Sequence, residues 1–594
     1  MSTTLAYRVE GERELLDLVD IQEGWKLVER FSTLVRESGT PDEFAAAEYI
    51  AARLKANGVP FEMYEPTIYI SVPRKAELQV QSNGSALHVK AKTPAFSLST
   101  NGNSVQGDLV YVPAARAKDT AEVFGSHFRS PEQEVRGKIV VTEGRSVPIA
   151  VRQLQERGAI AQIYINPGKN IHEGICTPIW GSPTMSSWHR KPASPVVTIN
   201  QADGTRLIDL CKGGHVAASV ATELDEGWKQ CLLPVAQIEG CRELDLFVLV
   251  HGHYDSWHVG IGDNATGDGT LLELARIFHQ GRRHLHRSVR VAWWPGHSHG
   301  RYAGSTWYAD HFGIDLRKNC VAQVDIDSPG CRMATAFEEV MWMVECEELC
   351  RQAILDRSET KSVRSRPLRA GDYSFNQVGL SGFFMLLSNI PLEQRRKLGF
   401  YPVGGCGGNI AWHTEEDLLE VADPEVFRRD LEIYVTALVR LLNSEILPFD
   451  YSLTVNEIRQ AVQKYQEQAG STFSLREVLR PLDELDHELR RLKSVLAQLR
   501  NEHARQANRI LLEIGRKLVP LNYSYGENFD HDPAEPLPPV PKLREVERLG
   551  RAEPESPAWW LLQTELVRQR NKVVNVLYET TELVRAGCAL LKSV

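Results

Sequence analysis

The sequence predicts an α/β fold: an open mixed sheet flanked by helices, with an inserted β-rich domain and a C-terminal helical bundle. Three patterns predict it. Between 246 and 387, short apolar runs alternate with helical patterns. Between about 105 and 225, short β runs follow one another across Gly, Pro and polar turns. Beyond about 447, leucines recur at helical spacing. Strand–helix alternation implies an open sheet with right-handed crossovers. At 594 residues, roughly three to four domains are expected. The expected division is 1–104 with 226–447 as one discontinuous α/β domain, 105–225 as the insert, and 448–594 as the helical domain.

The elements follow in chain order. Thr40-Pro41-Asp42-Glu43 reads as a helix start, with Thr40 as cap, Pro41 in the first turn and Glu43 completing a capping box. Phe44, Ala47, Ile50 and Leu54 repeat at helical spacing, and Asn57-Gly58 stops the helix. Short strands are expected at 109–112, 138–141, 161–165 and 196–199, with a helix at 148–157. The run 246–250 is continuously apolar, as a buried parallel strand requires. A helix at 269–279 and strands at 289–293, 321–324 and 383–387 follow. Leu482, Leu485, Leu489, Leu492, Val495, Leu496 and Leu499 mark one face of a long helix that continues or restarts through Leu518. A last helix is read at 559–591.

Composition narrows the function. The chain is 42% hydrophobic and 24% charged, which excludes a mainly disordered, collagen-like or coiled-coil protein. Formal charge is -9, from 68 Lys+Arg and 77 Asp+Glu, so no nucleic-acid partner is expected. No run of about 18 apolar residues predicts a membrane span, and 1–10 lacks the pattern of a secretory leader. Ten Cys without a CxxC pair read as reduced thiols, which suits a cytoplasmic location.

Histidine is unevenly spread. Of 18 His, nine fall between His251 and His311. Ligands in open α/β sheets bind at the carboxyl ends of strands. His251-Gly-His253-Tyr-Asp255 follows one predicted strand, and Pro295-Gly-His297-Ser298-His299 the next. Between them lies Gly262-Asp263-Asn264-Ala265-Thr266-Gly267. Asp325-Ile-Asp327-Ser328 and Trp412-His413-Thr414-Glu415-Glu416-Asp417 come later. His and Asp from separate strand ends are what a divalent metal site needs, because such loops converge on one point.

These motifs resemble the M28 metallopeptidase family, in its glutamate carboxypeptidase II and transferrin receptor branch. The resemblance extends over nearly the whole chain. It implies a protease-associated insert, and a C-terminal dimerisation domain whose pattern is similar to 509–533. It implies His253 as a ligand of one metal position, Asp263 as a bridge between two, Asp327 as a further ligand of the first and His413 as a ligand of the second. Asp255 matches an Asp behind the first His that orients the imidazole.

One departure stands out. The family has a Glu-Glu pair, a general base followed by a metal ligand. Counting back from Gly304-Ser305 without a gap places Ser298 at the base and His299 at the ligand. Counting forward from Trp294, with one inserted residue, places His297 at the base and Ser298 at the ligand. The first count is preferred because it keeps a metal-binding residue at the ligand position. The second position then holds His299, His413 and Asp263, a two-His, one-carboxylate set that suits Fe(II) as well as zinc. His297 becomes the substitute base, with His251 and His258 next. Asp372, in Gly371-Asp372-Tyr373-Ser374, is similar to a loop near the substrate. Arg364, Arg366, Arg369 and the Arg395-Arg396 pair either meet an anionic substrate or are plain surface charge.

The expected protein is a cytoplasmic homodimer, paired through its C-terminal helices, that binds one or two divalent ions, zinc first and iron as the alternative. Its expected activity is hydrolysis of an amide or other activated carbonyl bond in a small-molecule or short peptide-like substrate, rather than ordinary peptidase action. The alternatives are a mononuclear iron or other metal-dependent lyase-type enzyme, and a non-catalytic receptor-like interaction protein.

Overall fold

The computed structural model describes residues 9–592 apart from 83 and 131. Positions 1–8, part of the stretch read for a leader, lie outside the described residues. Among those described, no helix is long and apolar enough to cross a membrane.

Six strands form the first sheet, in the spatial order Phe61–Tyr64, Leu233–Ile238, Arg287–Trp294, Glu243–His253, Cys320–Asp325 and Gly382–Phe383. The last four run parallel, and the first two are antiparallel additions on one edge. Helices Gln22–Phe31, Pro41–Ala56, Thr266–Gln280 and Pro424–Asn443 contribute apolar faces to the same core. Register explains why the His-rich segments meet. His253 stands opposite Trp294, and His251 opposite Asp325. The three central strands therefore end side by side, and the segments carrying His253, His297 and Asp327 leave the sheet at one place.

Two local expectations change. Thr40 occupies the cap position but makes no capping bond. Its hydroxyl donates to the Glu37 carbonyl instead (2.6 Å), and Glu43 accepts from the Gly39 N–H (2.6 Å). The strand expected at 383–387 is only Gly382–Phe383, because Phe384 has a positive φ of 65° that ends the extended run.

The second sheet has seven strands, and it corrects the expected insert of 105–225. Thr67–Ser82 pairs antiparallel with Ala217–Gln230 along a register from Thr67 opposite Gln230 to Gln81 opposite Ala217. Ser85–Val89 flanks that pair. The unit thus starts near 67 and ends near 230. From sequence only the piece at Val80 reads as strand, because Pro73-Arg74-Lys75 interrupts the run and its register shifts there. On the other side come Val105–Tyr111, Ile139–Glu143, Ala161–Ile165 and Val196–Ile199, parallel to one another.

After Pro424–Asn443 the chain is helical: Tyr451–Ala469, Arg476–Leu496, Ala504–Tyr523, Val546–Arg551 and Pro557–Lys592. The leucine stripe restarts after a break at 497–503. Leu482, Leu485, Leu489 and Leu492 are buried, and they belong to the same apolar cluster as the sheet residues Val248 and Val250.

Candidate metal centre

Three imidazoles are locked by the same device. The Nδ1–H of His253 donates to the backbone oxygen of Asp255 (2.9 Å), that of His297 to Asp372 Oδ2 (2.8 Å), and that of His413 to the Glu173 carbonyl (3.1 Å). Each ring then presents the lone pair of Nε2. An oxygen acceptor on the far nitrogen fixes the tautomer and orients a metal-binding histidine.

The presented atoms converge. Donor atoms of His253, His297 and Asp327 lie within 4.8 Å of one another. His253 and His297 stack with ring centroids 3.7 Å apart. Asp263 stands between two histidines, with Oδ1 3.0 Å from His253 Nε2 and Oδ2 3.0 Å from His413 Nε2. His253 Nε2 and Asp263 Oδ1 form a buried 3.0 Å ion pair, and neither has a further hydrogen-bond partner. A lone pair facing a carboxylate oxygen at this distance is repulsive unless a cation, a proton or a metal ion, sits between them. With two further donors, His297 and Asp327, gathered beside His253, the arrangement fits a divalent metal ion.

His299, the ligand preferred in the count from Gly304-Ser305, lies outside this group of three. Its Nδ1 accepts from the Ser38 backbone N–H (3.3 Å) and lies 3.3 Å from Ser38 Oγ. Its Nε2 is buried with no hydrogen-bond partner. His299 is fully buried against Trp257, 4.2 Å between centroids. The two His and one carboxylate that the structure brings close enough to hold a metal ion are His253, His297 and Asp327. His297, expected as a free base, is one of them, with its other nitrogen committed to Asp372.

Asp255 also acts differently from expectation. Its backbone oxygen, not its carboxylate, holds His253. The carboxylate accepts from the His297 N–H (3.0 Å), the Ser298 N–H (2.8 Å) and Ser38 Oγ (2.8 Å), and so fixes the turn that aims His297. Burial pushes its pKa up, but the His299, His253 and His297 rings together hold it well below the usual carboxylate range. Ser298 contributes that N–H to the turn and is itself buried.

Supporting residues complete the floor. Asp417 accepts from the Gly262 and Asp263 N–H groups (2.7 and 3.0 Å), and burial raises its pKa to about 7. Asn264 donates to the carbonyls of His253 and Ile326 and accepts from the Ser328 N–H. Gly267 must be glycine, because a Cβ there would stand 2.1 Å from Asn264 Oδ1. Asp372 does more than make a turn: it also accepts from Ser305 Oγ (2.6 Å).

The remaining candidates have structural partners. His251 is fully buried between Gln323 (2.8 Å) and the Trp294 N–H (2.9 Å), and burial lowers its pKa to about 4. His258 meets Glu173 at 3.0 Å. Arg364 and Arg366 both bind Glu457 at 2.8 Å, Arg369 binds the Tyr373 and Asp532 carbonyls, and Arg395 binds Glu339. Sequence reasoning missed Ser38, which precedes a helix far from every motif, and Glu173, which reaches the centre from the second sheet.

An α/β sheet whose strand ends gather His and Asp around one point defines a metal-binding hydrolase scaffold. Residues 235–437 match peptidase family M28, and the chain is similar to relatives of the glutamate carboxypeptidase and transferrin receptor branch. It is similar to a probable glutamate carboxypeptidase of Zea mays, at 21% identity over 554 residues, 80% of this chain and 75% of that protein. Its fold is similar to that of an M28 peptidase precursor from Shewanella amazonensis SB2B (TM-score 0.54, 16% identity, 74% of this chain and 98% of that one). A zinc aminopeptidase from Bacillus subtilis gives TM-score 0.52 at 18% identity, over 72% of this chain and 96% of that one.

Proposed function

We propose that the chain is a metal-dependent hydrolase whose cation is held by His253, His297 and Asp327 with Asp263 beside them, and that zinc is the ion. The observation that carries this reading is geometric: donor atoms of His253, His297 and Asp327 lie within 4.8 Å of one another, and His297 is oriented by Asp372. When bound, the ion polarises a carbonyl and acidifies water. The chain's own residues do the rest. Asp372 keeps the His297 ring oriented, Asp255 holds the turn beneath it, and Asp417 and Asn264 fix Asp263.

The substrate bond in this reading is an activated amide or other carbonyl, not a plain peptide. No carboxylate stands at 298 or 299, and a positioned general base is commonly worth about two to four orders of magnitude. Ten free thiols support a reducing, cytoplasmic setting. Exposed Trp560, Leu561 and Tyr578 on the last helix support pairing of two copies there; light scattering of the intact chain should give the dimer mass, and a monomer at micromolar concentration removes that part.

Metal analysis of protein purified without chelators tests the centre. One equivalent of zinc, lost with His297→Ala and kept with His299→Ala, is expected. Two equivalents, or loss with His299→Ala alone, overturns the reading. The same donor set, two His and one carboxylate, also supports iron; one equivalent of iron in the same measurement would select that ion.

A further inference from the structure

Just ahead of the helix Pro41–Ala56 lies Arg36, a fully buried arginine. Its guanidinium is spent on main-chain carbonyls. Nε donates to Tyr254 (2.8 Å), Nη1 to Val259 (2.7 Å) and at longer range to Phe31 (3.5 Å), and Nη2 to Gly260 (3.0 Å). The face of the group lies 4.5 Å over the Phe31 ring. The main chain takes part as well, because the Ser256 N–H donates to the Arg36 carbonyl (2.9 Å). Two residues on, Ser38 Oγ donates to the Asp255 carboxylate (2.8 Å). Every acceptor of the guanidinium is a neutral carbonyl. Taking a charge out of water without an ion pair is costly, so what this residue supplies is the geometry of its fork.

Position ties this fork to the metal centre. Tyr254, Ser256, Val259 and Gly260 all belong to the loop that leaves His253 and returns to Asp263, and the side chains at its two ends face each other at 3.0 Å. One planar group gathers the first residue of that loop and its last two, and so fixes how far apart the ends stand. The loop has little give of its own. Gly260 has a φ of 59°, and a Cβ there would lie 2.5 Å from the Asp263 carbonyl oxygen, so a shift of Gly260 is passed to Asp263. A lysine could not do the same, because an ammonium is a point charge without the planar fork. Arg516 offers a matched contrast. It too is buried and binds neutral carbonyls, those of Arg317 (2.7 Å), Gly379 (2.8 Å) and Cys320. Cys320 begins the strand whose far end carries Asp325, so Arg516 does its bracing at the opposite end of the sheet.

We propose that Arg36, with Ser38 beside it, is a positioning residue of the metal centre: by bracing the loop 254–260 it sets the spacing of His253 and Asp263. The consequence for a metal ion rests on the metal-centre reading; the bracing of the loop does not.

Two measurements on Arg36→Lys and Arg516→Lys test this. Hydrogen exchange of the metal-free protein, followed by mass spectrometry over 254–265, reads the brace. Arg36→Lys should speed exchange there by at least about tenfold, the worth of a lost hydrogen bond from a charged group, and Arg516→Lys should leave it unchanged. Competition for zinc with a chelator reads the consequence. Arg36→Lys should weaken zinc by about 10–100-fold, the range lost when the support of a ligand is removed. Arg516→Lys should stay within about threefold, although both variants lower the urea midpoint; a role confined to stability would treat the two alike. If Arg36→Lys does not fold, Ser38→Ala carries the test as a milder break in the same segment, with a loss of about threefold or more in both measurements. Unchanged exchange over 254–265 in the folded variant overturns the brace. Faster exchange with zinc affinity unchanged overturns the positioning role. Zinc that stays bound in His253→Ala overturns the metal-centre reading and with it the consequence for the ion, while the exchange result still decides the brace.

Discussion

The two sides of Asp263 differ, although one carboxylate faces both. Towards Oδ1 stand His253, His297 and Asp327, with two Nε2 lone pairs and a carboxylate gathered in one place. Towards Oδ2 stands His413, and the histidine expected to complete that side, His299, faces Ser38 with its accepting nitrogen. Residue type alone does not make a ligand. The partner of the far nitrogen decides where an imidazole is aimed.

The comparison breaks most visibly at the shared carboxylate. Asp263→Ala should empty the centre and abolish turnover, read by metal analysis and a hydrolysis assay; retained metal would mean that the two sides do not share it. Next in size is the pair of His variants. His297→Ala should lose the ion, whereas His299→Ala should retain it and lose stability instead, since Ser38 is left with an unpaired buried N–H worth about 1–3 kcal/mol. Metal content and a urea midpoint separate the two outcomes. Asp372→Ala should weaken metal affinity by about 10–100-fold without removing a ligand, as loss of an orienting acceptor does; competition with a chelator measures it. Equal affinity would show that His297 is held by packing alone.

The smallest effect is on pH. Burial holds the His172 pKa well below its ordinary 6.5, so His172 folds neutral. Between its folded and unfolded values the unfolded chain binds the extra proton. Its contribution to stability is therefore complete above about 6.5 and is lost as pH falls towards the folded value. Unfolding midpoints should drop below pH 6.5, and His172→Gln should flatten that slope. An unchanged slope would mean that other groups set the acid limit.

Much of this was legible in the sequence, for reasons that can be named. Apolar runs such as 246–250 and 161–165 mark buried strands because nothing else keeps such residues together, and the strand ends then located His253, Asp327 and the 297–299 turn. The long strand 67–82 was not legible beyond Val80: Pro73-Arg74-Lys75 interrupts it, and its partner lies beyond an intervening unit. Nor was the choice between His297 and His299. Two histidines separated by one residue look equivalent until the partners of their rings are known, and those partners, Asp372 and Ser38, are distant in sequence. Arg36 carried no signal at all, since the loop carbonyls it gathers lie far along the chain.

The edge of the first sheet has a consequence for how the chain comes together. Phe61–Tyr64 pairs directly with Leu233–Ile238, so that edge forms only when segments about 170 residues apart meet. Closing so long a flexible loop costs roughly 4–5 kcal/mol of chain entropy. The antiparallel run from Thr67 opposite Gln230 removes most of that burden: once the second sheet has zipped, its two ends emerge as neighbours, three residues from the edge they must build. The inserted unit is thus a clasp, and a synthesis order that completes it first delivers the two edge strands already aligned.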